Sequence, residues 1–396
     1  MLARLNEATR SKIEFRICET PCFLPKSLLD EMATIGAELT HQLVGSPSYM
    51  QASNASIPDQ YRISNESLHP HFMTVDFGLS RNEVGILSPK LVELQAFPSI
   101  FGYQSLLAPY YIQEFGLDPE LRWLLGGLDE ERYWSLLKTV ILGDHAPENV
   151  VLVEVEPHLQ KTLPDFHVYE DKLGIATVDI AAIRKEGQKL FYCKPESPEW
   201  WIPIHRIYNR AIVDEIERKK VQISFDYRDD LDVEWAGHPN WYFRASKFSL
   251  PFLNHSSVPK TVFLDDWFNG IKPEVLLQDR ENVILKPLYS FAGRGIQFAP
   301  TDEDLASINP SERNHYLLQE RINFEPVIDT PFGKTQAEVR IMYLWPDGGD
   351  LIPTVNLVRM GRGLMMGVDH NRDQQWVGGS AGLFRDERDV TVVSSQ

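Results

Sequence analysis

Apolar and polar residues recur along this chain in two periods, and the two periods mark different elements. From Leu28 the residues Met32, Ile35, Leu39 and Leu43 keep three- and four-residue spacing, which puts them on one stripe of an α-helix. Ser27 followed by Asp30 reads as its start. Residues 45–70, rich in Ser, Pro, Asn and Gln, read as a long loop that either covers a site or moves. Two strands follow, 72–77 (F-M-T-V-D-F) and 91–96 (L-V-E-L-Q-A), each an apolar run broken by one acid, Asp76 and Glu93. Helical spacing returns over 105–115 and 129–142, the latter with Tyr133, Trp134, Leu137 and Ile141 on one side.

At Asn149 the pattern changes. Strand-like runs at 150–155, 175–180, 189–193 and 203–208 alternate with helical ones at 163–173 and 211–220. That alternation predicts a compact α/β unit with a mostly parallel sheet over about 146–235. Beyond it lies a stretch dense in Trp241, Tyr242, Phe243, Phe248 and Phe252, then a helical-looking segment, 261–268, behind Lys260. Strands are predicted at 316–322, 338–344 and 351–360, with Pro346-Asp347-Gly348-Gly349 as the hairpin turn between the last two.

Composition narrows the class. A chain of 396 residues, 43% hydrophobic and 24% charged, can bury a sizeable core and divide into two or three domains. A net charge of −17 and a pI near 5.1 give no basic footprint for a phosphate backbone, so no nucleic-acid partner is expected. The three cysteines, Cys18, Cys22 and Cys193, have neither a disulfide framework nor zinc spacing. With no signal-peptide core and no apolar run of ~20 residues, no membrane partner and a cytoplasmic location are expected.

The candidate chemistry begins at residues 283–297, V-I-L-K-P-L-Y-S-F-A-G-R-G-I-Q. A β-branched run ends at Lys286-Pro287, a loop with Gly293 and Gly295 follows, and an apolar strand resumes at Ile296. Glycines let backbone N–H groups approach phosphate oxygens and the lysine supplies a compact positive charge; an ordinary hairpin with a solvated lysine shows the same pattern. Glu93 and Gln95 alternate onto one strand face about 6 to 7 Å apart. Oxygen donors so placed suit a hard cation such as magnesium, and equally the wet face of an edge strand. Asp76-Phe77-Gly78 imitates the kinase metal triplet without its companion motifs. His205-Arg206-Ile207-Tyr208-Asn209-Arg210 could face an anion, or pair with the acids that follow it. Gly361, Gly363 and Gly367 follow a hairpin at the wrong spacing for a dinucleotide fold.

Taken in order, Lys260, K-P-L-Y-S-F-A-G-R-G-I at 286–296, L-Q-E-R-I at 318–322, E-V-R at 338–340 and V-R-M-G at 358–361 resemble the nucleotide-binding half of ATP-grasp enzymes. V-E-L-Q-A-F-P-S at 92–99, preceded by T-V-D-F at 74–77, is similar to segments that lie ahead of that half in the circularly permuted, glutathionylspermidine synthetase-like branch. The resemblance implies a mixed α/β and α+β fold. Residues 1–145 would hold N-terminal helices and the metal-binding strands, 146–235 a pre-ATP-grasp-like α/β domain, and 236–396 the nucleotide-binding region.

It also implies ATP and Mg2+ as cofactors. Lys260 and Lys286 would hold phosphates, Lys260 lying rather near Lys286 in sequence for this branch, and Ser290, Gly293, Arg294 and Gly295 would cover the triphosphate. Gln319, Glu320 and Ile322 would meet the adenosine, Asp76, Glu93 and Gln95 would hold magnesium, and Arg359 with Arg340 would neutralise the transferring phosphoryl group. Gln95 stands where the family has asparagine, and Thr74 where the branch has arginine, which puts that arginine's share of phosphoryl stabilisation in question. The implied activity is ligation of a small-molecule or peptide carboxylate to an amine or thiol through an acyl phosphate. Two alternatives stay open: a nucleotide-binding protein without catalysis, and a phosphotransferase.

Overall fold

The structure is a computed structural model that describes residues 1–82, 84–288, 295–363, 366, 371 and 373–386. In chain order, helix α1 (Lys26–Val44) precedes strands β1 (Phe72–Arg81) and β2 (Leu87–Gln95) and helices α2 (Phe101–Phe115) and α3 (Glu130–Leu142). Next come β3 (Val150–Glu154), α4 (Leu163–Leu173), β4 (Ala176–Asp179), β5 (Arg206–Asn209), α5 (Val213–Lys219) and β6 (Glu234–Ala236). The last third holds β7 (Thr261–Phe263), β8 (Val283–Pro287), β9 (Gln297–Phe298), β10 (Tyr316–Glu320), β11 (Pro326–Ile328), β12 (Thr335–Leu344), β13 (Ile352–Gly361) and β14 (Gly378–Ser380).

The largest sheet, in the order β14-β13-β12-β1-β2 with β11 beside β12, joins early and late segments of the chain. Its neighbours pair antiparallel, and the period of two sorts their side chains onto two faces. Met73, Val75, Phe77, Val339, Ile341, Tyr343 and Val358 pack with Leu29, Met32, Ile35 and Leu39 of α1. Gly36 sets the distance: a Cβ there would lie 2.1 Å from the Tyr343 hydroxyl, which donates to the Ala33 carbonyl at 2.9 Å. The opposite face carries Asp76, Glu338, Arg340 and Arg359.

The predicted α/β unit contains a four-stranded sheet, β6-β5-β3-β4, parallel throughout. The run expected at 203–208 divides, however. Ser197–Ile204 belongs to a separate antiparallel sheet with Arg184–Glu186 and Lys189–Lys194, and only β5 enters the parallel one. A further four-stranded sheet, β7-β10-β8-β9, is antiparallel. The helical-looking segment behind Lys260 splits, because Thr261, Val262 and Phe263 pair with β10 and only Leu264–Phe268 is helical.

Residues 45–70 are no simple loop. They form the helix Pro47–Ala52 and two short 3-10 turns, held by a buried arginine. Arg244 donates to Met50 O, Ser53, Asn54 and Glu66, and Asn240 and Trp241 bond Ile63, Glu66 and Ser67. Part of their polar composition serves this network, while Ser48, Gln51, Asp59, Gln60, Ser64 and Asn65 face solvent. Among the described residues no helix is long and apolar enough to cross a membrane.

Candidate functional site

The polar face of the large sheet and the antiparallel sheet β7-β10-β8-β9 enclose a cavity of about 250 Å3. Ile284, Phe298 and Ile322 give it apolar walls, while Lys286, Gln319 and Glu338 supply polar groups. A second cavity, about 170 Å3, is lined by Glu93, Gln95, Lys247 and Arg340 on one side and by Phe97, Tyr242 and Phe243 on another. The acidic and basic side chains of the large sheet stand between the two.

Sheet register explains how they meet. Asp76 lies opposite Arg340 on one side and Glu93 on the other, and Glu338 lies opposite Arg359. Between Asp76 and Phe77 the pairing shifts, so Phe77 faces Leu91 and Val92 is left over as a bulge. The bulge keeps both Leu91 and Leu94 in the core with α1 while Glu93 and Gln95 turn to the polar face.

Arg340 grips Asp76 through two bonds, Nε to Oδ1 and Nη2 to Oδ2, both 2.6 Å. Arg359 adds a third at 3.0 Å to Oδ2 and also bonds Glu338. Burial pushes the Asp76 carboxyl up, but the two guanidinium groups outweigh it and hold it below the usual carboxylate range. In Glu338 burial wins over the arginines, with Asp76 and Glu93 adding to it, and the carboxyl is raised. Gln95 links the parts: its amide donates to Glu93 at 3.0 Å and accepts from Arg340 at 3.4 Å.

Lys286 is the buried cation of the larger cavity, only 6% exposed. Burial brings its ammonium down to about 8, Glu93 and Glu338 pull it back up, and Lys247 pushes it lower. Glu93 and Lys286, far apart in the chain, are therefore electrostatic neighbours. Arg340, Arg359, Lys247 and Lys286 face Asp76, Glu93 and Glu338, so the cluster is positive even with every acid ionised.

The remaining candidates from the sequence fall in several places. Gln319 and Ile322 line the larger cavity. Gly295 has φ +72, a left-handed conformation that favours glycine. Ser290, Gly293 and Arg294 lie outside the described residues. Lys260 is exposed at the edge of β7 and lines neither cavity; its backbone N–H and C=O both bond Glu320. Glu320 borders a separate open groove with Arg81, Lys90 and Arg321. Arg206 and Arg210 face no open site, since Arg206 pairs with Glu234 and Arg210 bonds the Pro98 carbonyl. Two members of the cluster go unmarked in the sequence reading. Lys247 is the one lysine inside the aromatic stretch that follows His238, and Glu338 begins the E-V-R string.

The residues present fit a nucleotide better than a preformed metal site. Gln319 is fully buried, and its Oε1 has no hydrogen-bond partner among the described residues, which leaves an acceptor for an exocyclic amine at the edge of an apolar slot. The expected magnesium ligands, Asp76, Glu93 and Gln95, are a different matter. Both Asp76 oxygens are held by guanidinium groups and the Gln95 oxygen faces Arg340, so that trio does not offer three oxygens to a cation as arranged. Among the described residues no cluster of three or more Asp, Glu, His or Cys is arranged to hold a metal ion.

No family model matches the chain, and no curated protein matches it. Its fold is similar to the solved apo structure of a glutathione synthetase-like effector from Globodera pallida. The two share 10% sequence identity and superpose with a TM-score of 0.58 over 97% of this chain and 96% of that one. At that identity the likeness is one of fold.

Proposed function

We propose that this chain is an ATP-grasp-type ligase of the circularly permuted kind, using ATP to join a carboxylate to an amine or thiol. The observation that carries the proposal is the placing of Lys286, on the antiparallel sheet, within electrostatic reach of Glu93 and Glu338, on the large sheet, at a cavity of about 250 Å3 that Lys286 and Glu338 line. Fold likeness to a protein described as glutathione synthetase-like supports the same reading.

In this reading the purine lies between Ile284, Phe298 and Ile322, with its amine donating to Gln319 Oε1. Lys286 takes phosphate oxygens. A carboxylate is a poor electrophile because its charge repels nucleophiles; transfer of the γ-phosphoryl group creates an acyl phosphate with a good leaving group. Arg340 faces the smaller cavity, where the acid would sit, and Arg359 stands behind it. Fixed guanidinium groups in a dry site stabilise the charge of the moving phosphoryl by several kcal/mol. Asp76 orients both arginines rather than touching the nucleotide. Mg2+ would accompany ATP; Glu93 is the carboxylate best placed to meet it, and no step is assigned to the metal.

A second reading, a nucleotide binder without turnover, is favoured by the locking of Asp76 and by Thr74 and Gln95 at positions where the resembled branch differs. Incubation with Mg-ATP and pooled acids and amines separates the two. The ligase releases ADP and phosphate only when both an acid and an amine are present, and Lys286→Met abolishes that release. A thermal shift with ATP but no turnover under any pairing selects the binder; absence of both removes the nucleotide reading.

A further inference from the structure

The smaller cavity differs in character from its neighbour. At one end lie Lys247 and Arg340, beside Glu93 and Gln95; at the rim lie Asp214, on the first turn of α5, and Ile212 just before it. Its side wall is aromatic and firmly held. Phe97 and Tyr242 meet edge to face with ring centroids 5.7 Å apart, and Tyr242 and Phe243 do so at 5.3 Å. The Arg210 guanidinium lies 4.6 Å from the Phe97 centroid and donates to the Pro98 carbonyl, which fixes Phe97 from behind. Leu288 and Ala245 complete the apolar lining.

This arrangement selects a ligand by three properties. Two cations at the inner end favour a carboxylate. The exposed Asp214 carboxylate at the rim favours an ammonium through its charge. The apolar wall and the volume set size: an apolar cavity of about 150 Å3 holds a benzene ring, so 170 Å3 holds one compact apolar group and excludes a long polar chain.

On the ligase reading, we infer that this cavity binds a single apolar α-amino acid, of the leucine or phenylalanine type, with its carboxylate on Lys247 and Arg340 and its ammonium toward Asp214. The bound carboxylate then lies next to the Arg340 and Glu93 cluster, the position of the acid to be activated. The inference depends on that reading for the ligand's role in a reaction, but not for binding itself.

Calorimetric titration of the full chain without nucleotide tests it, using L-phenylalanine and L-leucine, with L-glutamate, 3-phenylpropionate and 2-phenylethylamine as contrasts. Phenylalanine or leucine is expected to bind with Kd of about 1 mM or tighter, and roughly tenfold more tightly than glutamate or the amine lacking a carboxylate. Asp214→Asn should weaken amino-acid binding about tenfold and leave 3-phenylpropionate unchanged. Ile212→Trp, which obstructs the rim, should abolish binding of both, and it serves if the first variant melts early. Equal or tighter binding of glutamate, equal effects of Asp214→Asn on both ligands, or no binding of any apolar amino acid overturns the inference. The ATP thermal shift, measured separately and lost in Lys286→Met, reports on the nucleotide cleft, so failure of one cavity is distinguishable from failure of the other.

Discussion

Asp76 and Arg340 face each other on adjacent strands, and the guanidinium holds both carboxylate oxygens at 2.6 Å in a site where Asp76 is 1% exposed. With Arg359 also bonded to the same carboxylate, removing Asp76 takes the bidentate partner from the buried Arg340 and leaves Arg359 with Glu338 alone. Breaking a buried ion pair from one side typically costs about 3–5 kcal/mol. Asp76→Ala should therefore lower unfolding stability by that order in urea denaturation. If Asp76 anchors the arginines rather than a metal, the loss should be the same with excess EDTA and with excess Mg2+.

On the proposed reading, Lys286 sets a pH dependence for nucleotide binding. Its ammonium titrates near 8, against an ordinary 10.5, and only the protonated form attracts phosphate. ATP affinity should be steady below pH 7.5 and fall by up to about tenfold by pH 9. The ligand-free protein should respond with the opposite sign. Between 8 and 10.5 the unfolded chain holds the proton that the folded chain has lost, so this group makes stability rise with pH. Above pH 10 the buried tyrosines Tyr133, Tyr169 and Tyr343, whose hydroxyls burial pushes up, act the other way. Titration calorimetry of the unaltered chain across this range, with urea melts of Lys286→Met, which should lack the rise between pH 8 and 10, checks the assignment.

On the same reading, Gln319 separates nucleotide recognition from stability. Its Nε2 donates to Thr261 at 3.0 Å while Oε1 is buried without a partner among the described residues. Replacement by leucine removes an unsatisfied acceptor along with one modest bond, so stability should change by less than about 1 kcal/mol. The same change should cut ATP affinity roughly tenfold and erase any preference for ATP over GTP in competition binding.

Asp165 ties the α/β unit to α2. Its two oxygens accept the backbone N–H groups of Ile100, at 3.0 Å, and Tyr103, at 2.8 Å, where the chain enters α2 with Ile100 at φ +56. Asp165→Ala leaves both donors buried and should cost about 2–5 kcal/mol. Burial raises this carboxyl to about 6 against Arg210 and the two N–H groups. A raised carboxyl pKa contributes stability that is lost as pH climbs through it, so the mutant's deficit should be larger at pH 5 than at pH 8. Thermal melts at the two values measure the difference.

Much of this architecture is legible in the sequence. The stripe Leu28, Met32, Ile35, Leu39 and Leu43 defines α1, and the strand–helix alternation after Asn149 gives the parallel sheet, because each element's burial is written in its own period. The strand ending at Lys286 and the shared face of Glu93 and Gln95 are local facts of the same kind. Less legible are Lys247, a single charge in an aromatic stretch, and Asp214, one of several acids on the polar side of a helix with nothing local to set it apart. The break at His205, where one apolar run serves two sheets, and the polar segment 45–70, ordered by Arg244, stay hidden because their partners lie far away in the chain.

The sequence by itself determined the helix that carries the Leu28 stripe and the strands that carry Asp76, Glu93 and Lys286, with the apolar side of each, since hydrophobic burial and backbone sterics act over a few residues. Only the tertiary structure decided what the charged residues do. Asp76 looks the same in sequence whether it holds a cation or a guanidinium; the register that sets Arg340 opposite and Arg359 one strand further makes it an anchor. Lys286 is depressed because the packing of its sheet against another buries it and brings Lys247 near, with Glu93 and Glu338 opposing. Pairing between distant strands carries no local signature, and it is that pairing which gathers four cations and three acids around one cleft.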